Sequence, residues 1–195
     1  PSVLVSQIPG NKYAVLQEKL YRYPGFYIQT RTLRKYNVSH SADVFGYIGE
    51  VNSEQMKGPY YAQGDYIGIS GLEKTYEKHL RGTKGKRVVL VDNKNRVKGS
   101  FADGEYDEDA IVGENLYTTL DVDLQEYAYE LMQNKKGGIV AIEPSTGEIL
   151  VKMSSPGYDP QLMVGLDRGK NYSKLLNDPL KPLFDRTTMA QYPPG

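Results

Sequence analysis

The sequence contains no cysteine, no tryptophan and only two histidines. Without cysteine, the chain can form no disulfide bond, no thiolate zinc site and no cysteine nucleophile. Long apolar runs are also absent: stretches such as residues 88–91 and 139–142 are far shorter than the roughly 20 residues of a membrane-spanning helix. These absences exclude thiol chemistry, and they predict no membrane-spanning helix among these 195 residues.

The chain has no net charge. The 24 lysines and arginines balance 24 aspartates and glutamates. Binding to nucleic acid or to an anionic membrane surface needs an excess of positive charge, so the sequence predicts no nucleic-acid partner. The hydrophobic content of 39% and the charged content of 25% are typical of a folded globular chain.

Hydrophobic spacing and cap residues predict two helices in the first half of the chain. Residues 11–23 form a predicted helix that Asn11 caps. Residues 70–82 form a second predicted helix, in which Ser70 and Glu73 make a capping box. The glycine at its end supplies a left-handed stop.

The second half contains a further capped helix, predicted over residues 121–134 with Asp121 as its cap. Another short helix is predicted at 172–176. The side chains predicted to face inward from the capped helix are Leu124, Ala128 and Leu131.

Two β-hairpins are predicted at residues 87–101 and 138–154, where apolar runs flank turn-forming residues. A further strand is predicted at 26–30, and residues 52–68 are predicted to form a surface loop. Helices mixed with hairpins, without regular β-α-β alternation, predict an α+β fold.

Each candidate metal or phosphate site has a simpler structural explanation. His40 and His79 have no partner at metal-ligand spacing. The acidic run at residues 103–109 lacks the spacing of a calcium loop, and the basic run at 81–87 lacks the first glycine of a phosphate-binding loop. The sequence therefore predicts no metal site and no cofactor.

A serine nucleophile with a nearby base is also absent. No serine has a lysine three residues later or an asparagine two residues later, and neither Lys-Thr-Gly nor Lys-Ser-Gly occurs. A serine hydroxyl without such a base is a poor nucleophile. The sequence therefore predicts no catalytic residue within these 195 positions.

Motifs in the second half nevertheless resemble those of a known family. T-L-D-V-D-L-Q at 119–125, P-S-T-G-E-I-L at 144–150 and S-P-G-Y-D-P at 155–160 resemble, in this order, the opening of the transpeptidase domain of class B penicillin-binding proteins. L-L-N-D-P at 175–179 continues the pattern. The motif resembling the approach to the acylation site consists of Tyr192, Pro193, Pro194 and Gly195.

The first half is similar to the same family. G-Y-I-G at 46–49 and the segment 68–82 resemble the non-catalytic pedestal, or dimerisation domain, and the details are nearest to the elongation type, penicillin-binding protein 2. The sequence departs from the family pattern at four positions: Lys152 stands where the family has Ala, Asp185 where it has Asn, Gly157 where it has Ser, and Gln161 where it has Asn.

The resemblance implies a pedestal domain at residues 1–113, followed at 114–195 by an incomplete transpeptidase domain with its first helix and first hairpin. It implies that the parent is a serine-type peptidoglycan D,D-transpeptidase, whose nucleophilic serine directly follows Gly195. The chain itself is then a scaffold without a nucleophile. The hairpin at 138–154 would belong to a sheet whose other strands lie further along the parent chain, because a lone hairpin leaves open edges.

The resemblance also implies partners and a location. The parent would act on peptidoglycan stem peptides, react with β-lactams, and assemble with a rod-shape SEDS glycosyltransferase and an MreC-type scaffold. It would lie on the periplasmic face of the bacterial inner membrane, held by an N-terminal anchor, and self-association of the chain stays open. The alternative interpretation is a stand-alone extracytoplasmic module that binds carbohydrate through tyrosines or a cation through residues 103–109.

Overall fold

The computed structural model describes residues 4–5, 8–28, 33–94 and 96–191. The chain divides into two compact units. The first comprises Pro1–Leu4, Thr32–Glu77 and Tyr117–Gly195, and the second comprises Val5–Arg31 and Lys78–Leu116. Each unit is therefore assembled from separate stretches of the chain.

These units differ from the predicted domains, which divide the chain once, after residue 113. Residues 32–77 belong to the same compact unit as residues 117–195. A side-chain hydrogen bond between Gln125 and Ser41, 2.9 Å long, joins these two stretches. The compact units are defined by contacts, whereas the predicted boundary separates two domains along the sequence. The boundary after residue 113 therefore stays a prediction.

The helices of the described residues are short. In chain order, they are α1 (Gly10–Lys19), α2 (Ala42–Phe45), α3 (Gly71–Thr75), α4 (Glu77–Leu80), α5 (Val122–Leu131) and α6 (Arg168–Leu176). Single 3-10 turns lie at Leu20–Arg22, Gln55–Lys57, Phe101–Gly104 and Pro160–Met163.

Within the same ranges, six strands form three two-stranded antiparallel sheets. The strands are β1 (Ile48–Glu50), β2 (Tyr66–Gly68), β3 (Val89–Val91), β4 (Val97–Ser100), β5 (Gly137–Ile142) and β6 (Ile149–Ser155). They pair as β1–β2, β3–β4 and β5–β6. The α+β prediction and both predicted hairpins are confirmed, whereas β2 was predicted as part of a loop.

Helix α1 starts one residue before its predicted cap. Asn11 lies inside the helix, and the N-cap position, Pro9, makes no side-chain capping bond. The strand predicted at 26–30 is wrong for residues 26–28, which lie in no strand, and residues 29–30 lie outside the described residues. Strand-forming composition without a pairing partner is not enough to make a strand.

The helix predicted over residues 70–82 is divided into α3 and α4 at Tyr76. Ser70 makes no side-chain capping bond. The Glu73 carboxylate contacts Arg34 instead of returning to Ser70, so the predicted capping box is wrong. Gly82 has φ +67° and ends α4 in the predicted left-handed conformation.

Two glycines of the pedestal-like motifs allow a close backbone contact in the first unit. Gly46 has φ +74°, and a Cβ there would lie 1.9 Å from the carbonyl oxygen of Ser70. Gly71 has φ +59°, and its Cβ would lie 2.5 Å from the Gly46 nitrogen. Only glycine fits at both positions, so the turn after α2 can pack directly on the start of α3.

The core of the first unit lies between α5 and the β5–β6 hairpin. Ala128, Val151 and Met153 form its buried cluster. Asp121 caps α5 as predicted, because its carboxylate accepts the N–H of Leu124 at 3.0 Å. Leu124 and Leu131 were predicted to face inward, but they are 43% and 44% exposed.

The rotation of α5 explains that error. Gln125 and Ala128 are its buried residues, with Met132 packed against the same core, so the inward face runs through 125, 128 and 132. The prediction is therefore confirmed for Ala128 and wrong for Leu124 and Leu131, because a polar residue, Gln125, occupies an inward position that hydrophobic spacing does not mark.

Candidate functional site

Strand β6 has one face on the core and the other on polar groups. Val151 and Met153 are only 3% and 2% exposed, and they pack beneath α5. Because side chains alternate along a strand, Lys152 and Ser154 lie on the opposite face. That face presents an ammonium group and a hydroxyl group to the segment that follows α6.

The outer edge of β6, away from β5, is covered at three alternate residues. The carbonyl oxygen of Leu150 accepts a backbone N–H from the cap of α5, at 2.9 Å. The side-chain amide of Gln125 accepts the N–H of Lys152 at 3.1 Å and donates to its carbonyl oxygen. The Asp43 carboxylate accepts the N–H of Ser154 at 3.1 Å. An open strand edge invites pairing with another chain, and these groups close this one.

Gln125 acts on this edge as a neighbouring peptide group would. Its side-chain amide offers an oxygen that accepts and a nitrogen that donates, as the backbone of a paired strand does. The side chain is only 5% exposed. The same nitrogen donates to the hydroxyl of Ser41 at 2.9 Å. Gln125 is the last residue of the T-L-D-V-D-L-Q motif, so the motif ends on the residue that binds the strand edge.

Asp43 brings a titratable group to the edge. Burial raises the pKa of the Asp43 carboxyl to about 6. The Lys152 ammonium group acts in the opposite direction, and the Asp185 carboxylate adds to the rise. No sequence motif marked Asp43, because its role depends on a strand more than 100 positions away.

The segment after α6, residues 178–191, contains neither helix nor strand. Ser154 contacts it twice: its hydroxyl donates to the carbonyl oxygen of Phe184 at 3.2 Å and accepts the N–H of Arg186 at 3.0 Å. Thr187 lies against Gly138 of β5, where a Cβ would come within 2.8 Å of the Thr187 methyl group. Side-chain contacts therefore hold this segment on the hairpin.

An ion pair adds to these contacts. The Lys152 ammonium group lies 2.8 Å from the Asp185 carboxylate, and the two side chains are 21% and 20% exposed. The carboxylate also accepts the N–H of Thr187 at 2.9 Å and the hydroxyl of Thr188 at 2.8 Å. Burial acts to raise the pKa of Asp185, but the hydrogen bonds from Lys152, Thr187 and Thr188 outweigh it and lower the pKa to about 2.

The side chain of Arg186 holds the turn together through hydrogen bonds to its backbone. Its guanidinium group donates to the carbonyl oxygen of Leu180 at 2.6 Å, and to those of Lys181 and Phe184 at 3.2 Å each. These bonds close residues 180–186 on themselves. The shape of the turn therefore depends on Arg186, while its attachment to β6 depends on Lys152 and Ser154.

The predicted acylation-site motif lies directly after this segment. Tyr192, Pro193, Pro194 and Gly195 are outside the described residues, so their predicted role remains a prediction. Lys152 and Asp185 were visible in the sequence only as departures from the family pattern. The structure brings the two departures into contact.

A second polar cluster lies around α3 in the same unit. Glu73 is only 8% exposed, and its carboxylate lies 3.0 Å from the guanidinium group of Arg34. The hydroxyl of Tyr36 donates to the same carboxylate at 3.4 Å. Burial, followed by the Glu73 carboxylate, raises the pKa of Tyr36 well above its usual range. Arg34 and Tyr36 therefore provide partners for the buried Glu73 carboxylate, near the point where Gly46 and Gly71 pack together.

Several of the other candidate residues make structural contacts. His40 is buried and stacks on Tyr129, with 4.6 Å between ring centroids. In the acidic run, Asp107 accepts the N–H of Val88 at 2.8 Å and Glu108 pairs with Lys86 at 3.0 Å. Among the described residues, no group of three or more His, Asp or Glu side chains could hold a metal ion.

The β3–β4 hairpin of the second unit exposes apolar side chains on both of its faces. Leu90 and Val91 are 50% and 53% exposed, and Val97 is 54% exposed. An exposed, contiguous apolar strand pair is typical of a surface that a partner covers. Across the part of the chain that the structure describes, no helix combines the length and apolar composition needed to cross a membrane.

Comparison with known proteins identifies the family. A family model for the penicillin-binding protein dimerisation domain matches residues 1–118. The peptidoglycan D,D-transpeptidase MrdA of Acinetobacter baumannii is 37% identical over 186 residues, which cover 93% of this chain. The chain spans only 27% of the length of that relative.

Solved structures agree with the sequence match. The complex between PBP2 and MreC from Helicobacter pylori contains a chain that is 29% identical, with a TM-score of 0.77, covering 98% of this chain and 36% of that one. A peptidoglycan synthase complex that coordinates polymerization and crosslinking gives a TM-score of 0.62 at 29% identity, covering 92% and 33%. The resemblance inferred from the motifs is confirmed, and the chain belongs to the penicillin-binding protein dimerisation-domain family.

Proposed function

We propose that this chain is the supporting part of a peptidoglycan D,D-transpeptidase of the elongation type. In such an enzyme, a serine attacks the D-Ala-D-Ala peptide bond of one stem peptide, releases the terminal D-alanine and forms an acyl-enzyme. An amine of a neighbouring stem peptide then takes the acyl group as an amide and frees the serine. β-Lactams react with the same serine. The proposal assigns no catalytic residue to these 195 positions, because none of their serines has the required lysine.

One observation supports this proposal most directly. The segment 178–191 is attached to β6 by Ser154 and Lys152, and it leads straight into Tyr192 and the following Pro-Pro-Gly. A scaffold for a nucleophile needs such an attachment, since catalytic groups must be held close to their productive geometry. We place the nucleophilic serine, with its lysine three residues later, directly after Gly195.

The closed edge of β6 refines the proposed sheet. Because Gln125 and Asp43 cover that edge, additional strands have only the outer edge of β5 for pairing. In the proposed domain arrangement, the pedestal occupies residues 1–113 and the transpeptidase domain starts at 114. Later strands of that domain would then add next to β5.

The partners follow from the relatives. The solved PBP2 of H. pylori is in complex with MreC, and another neighbour belongs to a peptidoglycan synthase complex. We extend both to this chain: an MreC-type scaffold and a SEDS glycosyltransferase bind the parent protein at the periplasmic face of the inner membrane. The exposed apolar hairpin β3–β4 offers a surface for such contacts.

Intact-mass spectrometry tests the function. The natural protein that carries this chain should gain the mass of one opened β-lactam when it is incubated with benzylpenicillin. The 195-residue chain, treated identically, should gain none. An adduct on the short chain, or no adduct on the natural protein, would contradict the proposal.

A further inference from the structure

The attachment of the segment 178–191 to β6 involves a charge pair between Lys152 and Asp185. The Lys152 ammonium group and the Asp185 carboxylate lie 2.8 Å apart. Each alone would bring an unpaired charge to a largely buried position, and together they neutralise one another. The two residues therefore act as one unit.

The internal bonds of the turn do not require this pair. Without Lys152, Asp185 would still accept hydrogen bonds from Thr187 and Thr188. Arg186 would still bind the carbonyl oxygens of residues 180–184. What Lys152 adds is a bond from this turn to strand β6. Lys152 therefore determines the position of the turn on β6, whereas the turn can form without it.

The position of the turn has a consequence only a few residues later. Asp185 precedes Tyr192 by seven positions, with no helix or strand in the described residues between them. A shift of the turn changes the point from which the chain runs to Tyr192, only seven positions away. A misplacement of about 1 Å at a reacting group can lower a rate about 100-fold.

We infer that Lys152 and Asp185 are positioning residues for acylation: their ion pair fixes the segment that carries the nucleophile against β6. This inference rests on the proposed function. Neither residue touches the substrate, and each acts through the turn. Ser154, which binds the turn on both sides of Asp185, provides the second attachment.

The test uses the natural protein and the second-order rate constant of its acylation by a fluorescent penicillin, expressed per folded molecule. We expect K152A to lower this constant about 10- to 100-fold, since Asp185 loses its partner while the nearby Asp43 carboxylate adds repulsion. The double variant K152A/D185N removes the same bond without leaving an unpaired carboxylate, so it should be acylated about as slowly as K152A. K152R, which keeps the charge, should lose little.

Two further measurements separate positioning from stability. Lys136→Ala removes an exposed lysine after α5 and controls for the change in net charge, so its rate should stay unchanged. Hydrogen exchange should speed up in K152A at the amides of Arg186 and Thr187, while the amides of α5 keep their protection. A merely structural role would lower the melting temperature without changing the rate per folded molecule.

The outcomes are distinct. If K152A is acylated as fast as the original protein, or the double variant recovers the original rate, the positioning role is wrong and the proposed function stands. If the original protein takes up no penicillin at all, the proposed function is wrong, and this inference fails with it.

Discussion

The two hairpins β3–β4 and β5–β6 have the same topology but opposite surroundings. In β5–β6, one face lies beneath α5, and the outer edge of β6 is closed by Gln125 and Asp43. In β3–β4, every residue of both strands is exposed. A pattern of apolar residues therefore predicts a hairpin, and the surrounding chain decides whether it is a core element or a contact surface.

The largest expected loss of stability comes from a substitution at the covered edge of β6. Gln125→Ala removes three hydrogen bonds and leaves the N–H and carbonyl groups of Lys152 without their partner. We expect a loss of about 3 kcal/mol in the free energy of unfolding, because buried backbone groups without partners are costly. Urea denaturation measures it. A loss below about 0.5 kcal/mol, the usual range of a surface substitution, would show that water replaces the amide at no cost.

The next effect depends on pH. The Asp43 carboxylate accepts the backbone N–H of Ser154 in β6, and the Asp107 carboxylate accepts that of Val88, next to β3. Because the pKa of Asp43 is raised to about 6 from 3.8, the folded chain binds a proton there that the unfolded chain has lost. The contribution of Asp43 to the free energy of unfolding is therefore greatest below pH 3.8. It declines by on the order of 2–3 kcal/mol as the pH rises to about 6.

Asp43→Asn should flatten that decline and raise the melting temperature at pH 7, since the asparagine oxygen can still accept from Ser154. Melting curves between pH 4 and pH 7 measure this. The matched control, Asp107→Asn, changes an exposed side chain and should leave the pH profile close to that of the original protein. Identical profiles for the original chain and Asp43→Asn would contradict the burial of a charge at this edge.

The smallest effect comes from one substitution made in both hairpins. Val151 is 3% exposed and Val91 is 53% exposed. Val151→Ala should lower the free energy of unfolding by about 2 kcal/mol, and Val91→Ala by less than about 0.5 kcal/mol. Equal losses, measured by denaturation under the same conditions, would mean that β3–β4 is buried in solution, for example between two copies of the chain.

Local patterns predicted the elements whose signals are complete within a few residues. Asp121 capping α5, the left-handed Gly82 and the two hairpins all follow from short-range chemistry. One error arose where a distant residue competes. Glu73 has the right spacing for a capping box, but Arg34 attracts its carboxylate.

The site was less accessible to sequence reasoning than the fold. Gln125 was identified within a motif, but a polar residue on the inward face of α5 has no hydrophobic signal. Asp43 joins β6 across more than 100 residues, and no local pattern can reveal such a contact. Lys152 and Asp185 were visible only as two unrelated departures until the structure placed them side by side.

The central claim is that these 195 residues support a nucleophile that they do not contain. Peptide mapping of the benzylpenicillin adduct on the natural protein tests it most directly. The account predicts that the modified peptide begins within residues 187–195 and carries the adduct on a serine immediately after Gly195, with a lysine three residues further on. An adduct on any serine between Ser2 and Ser173, or on a peptide remote from this motif, would contradict it.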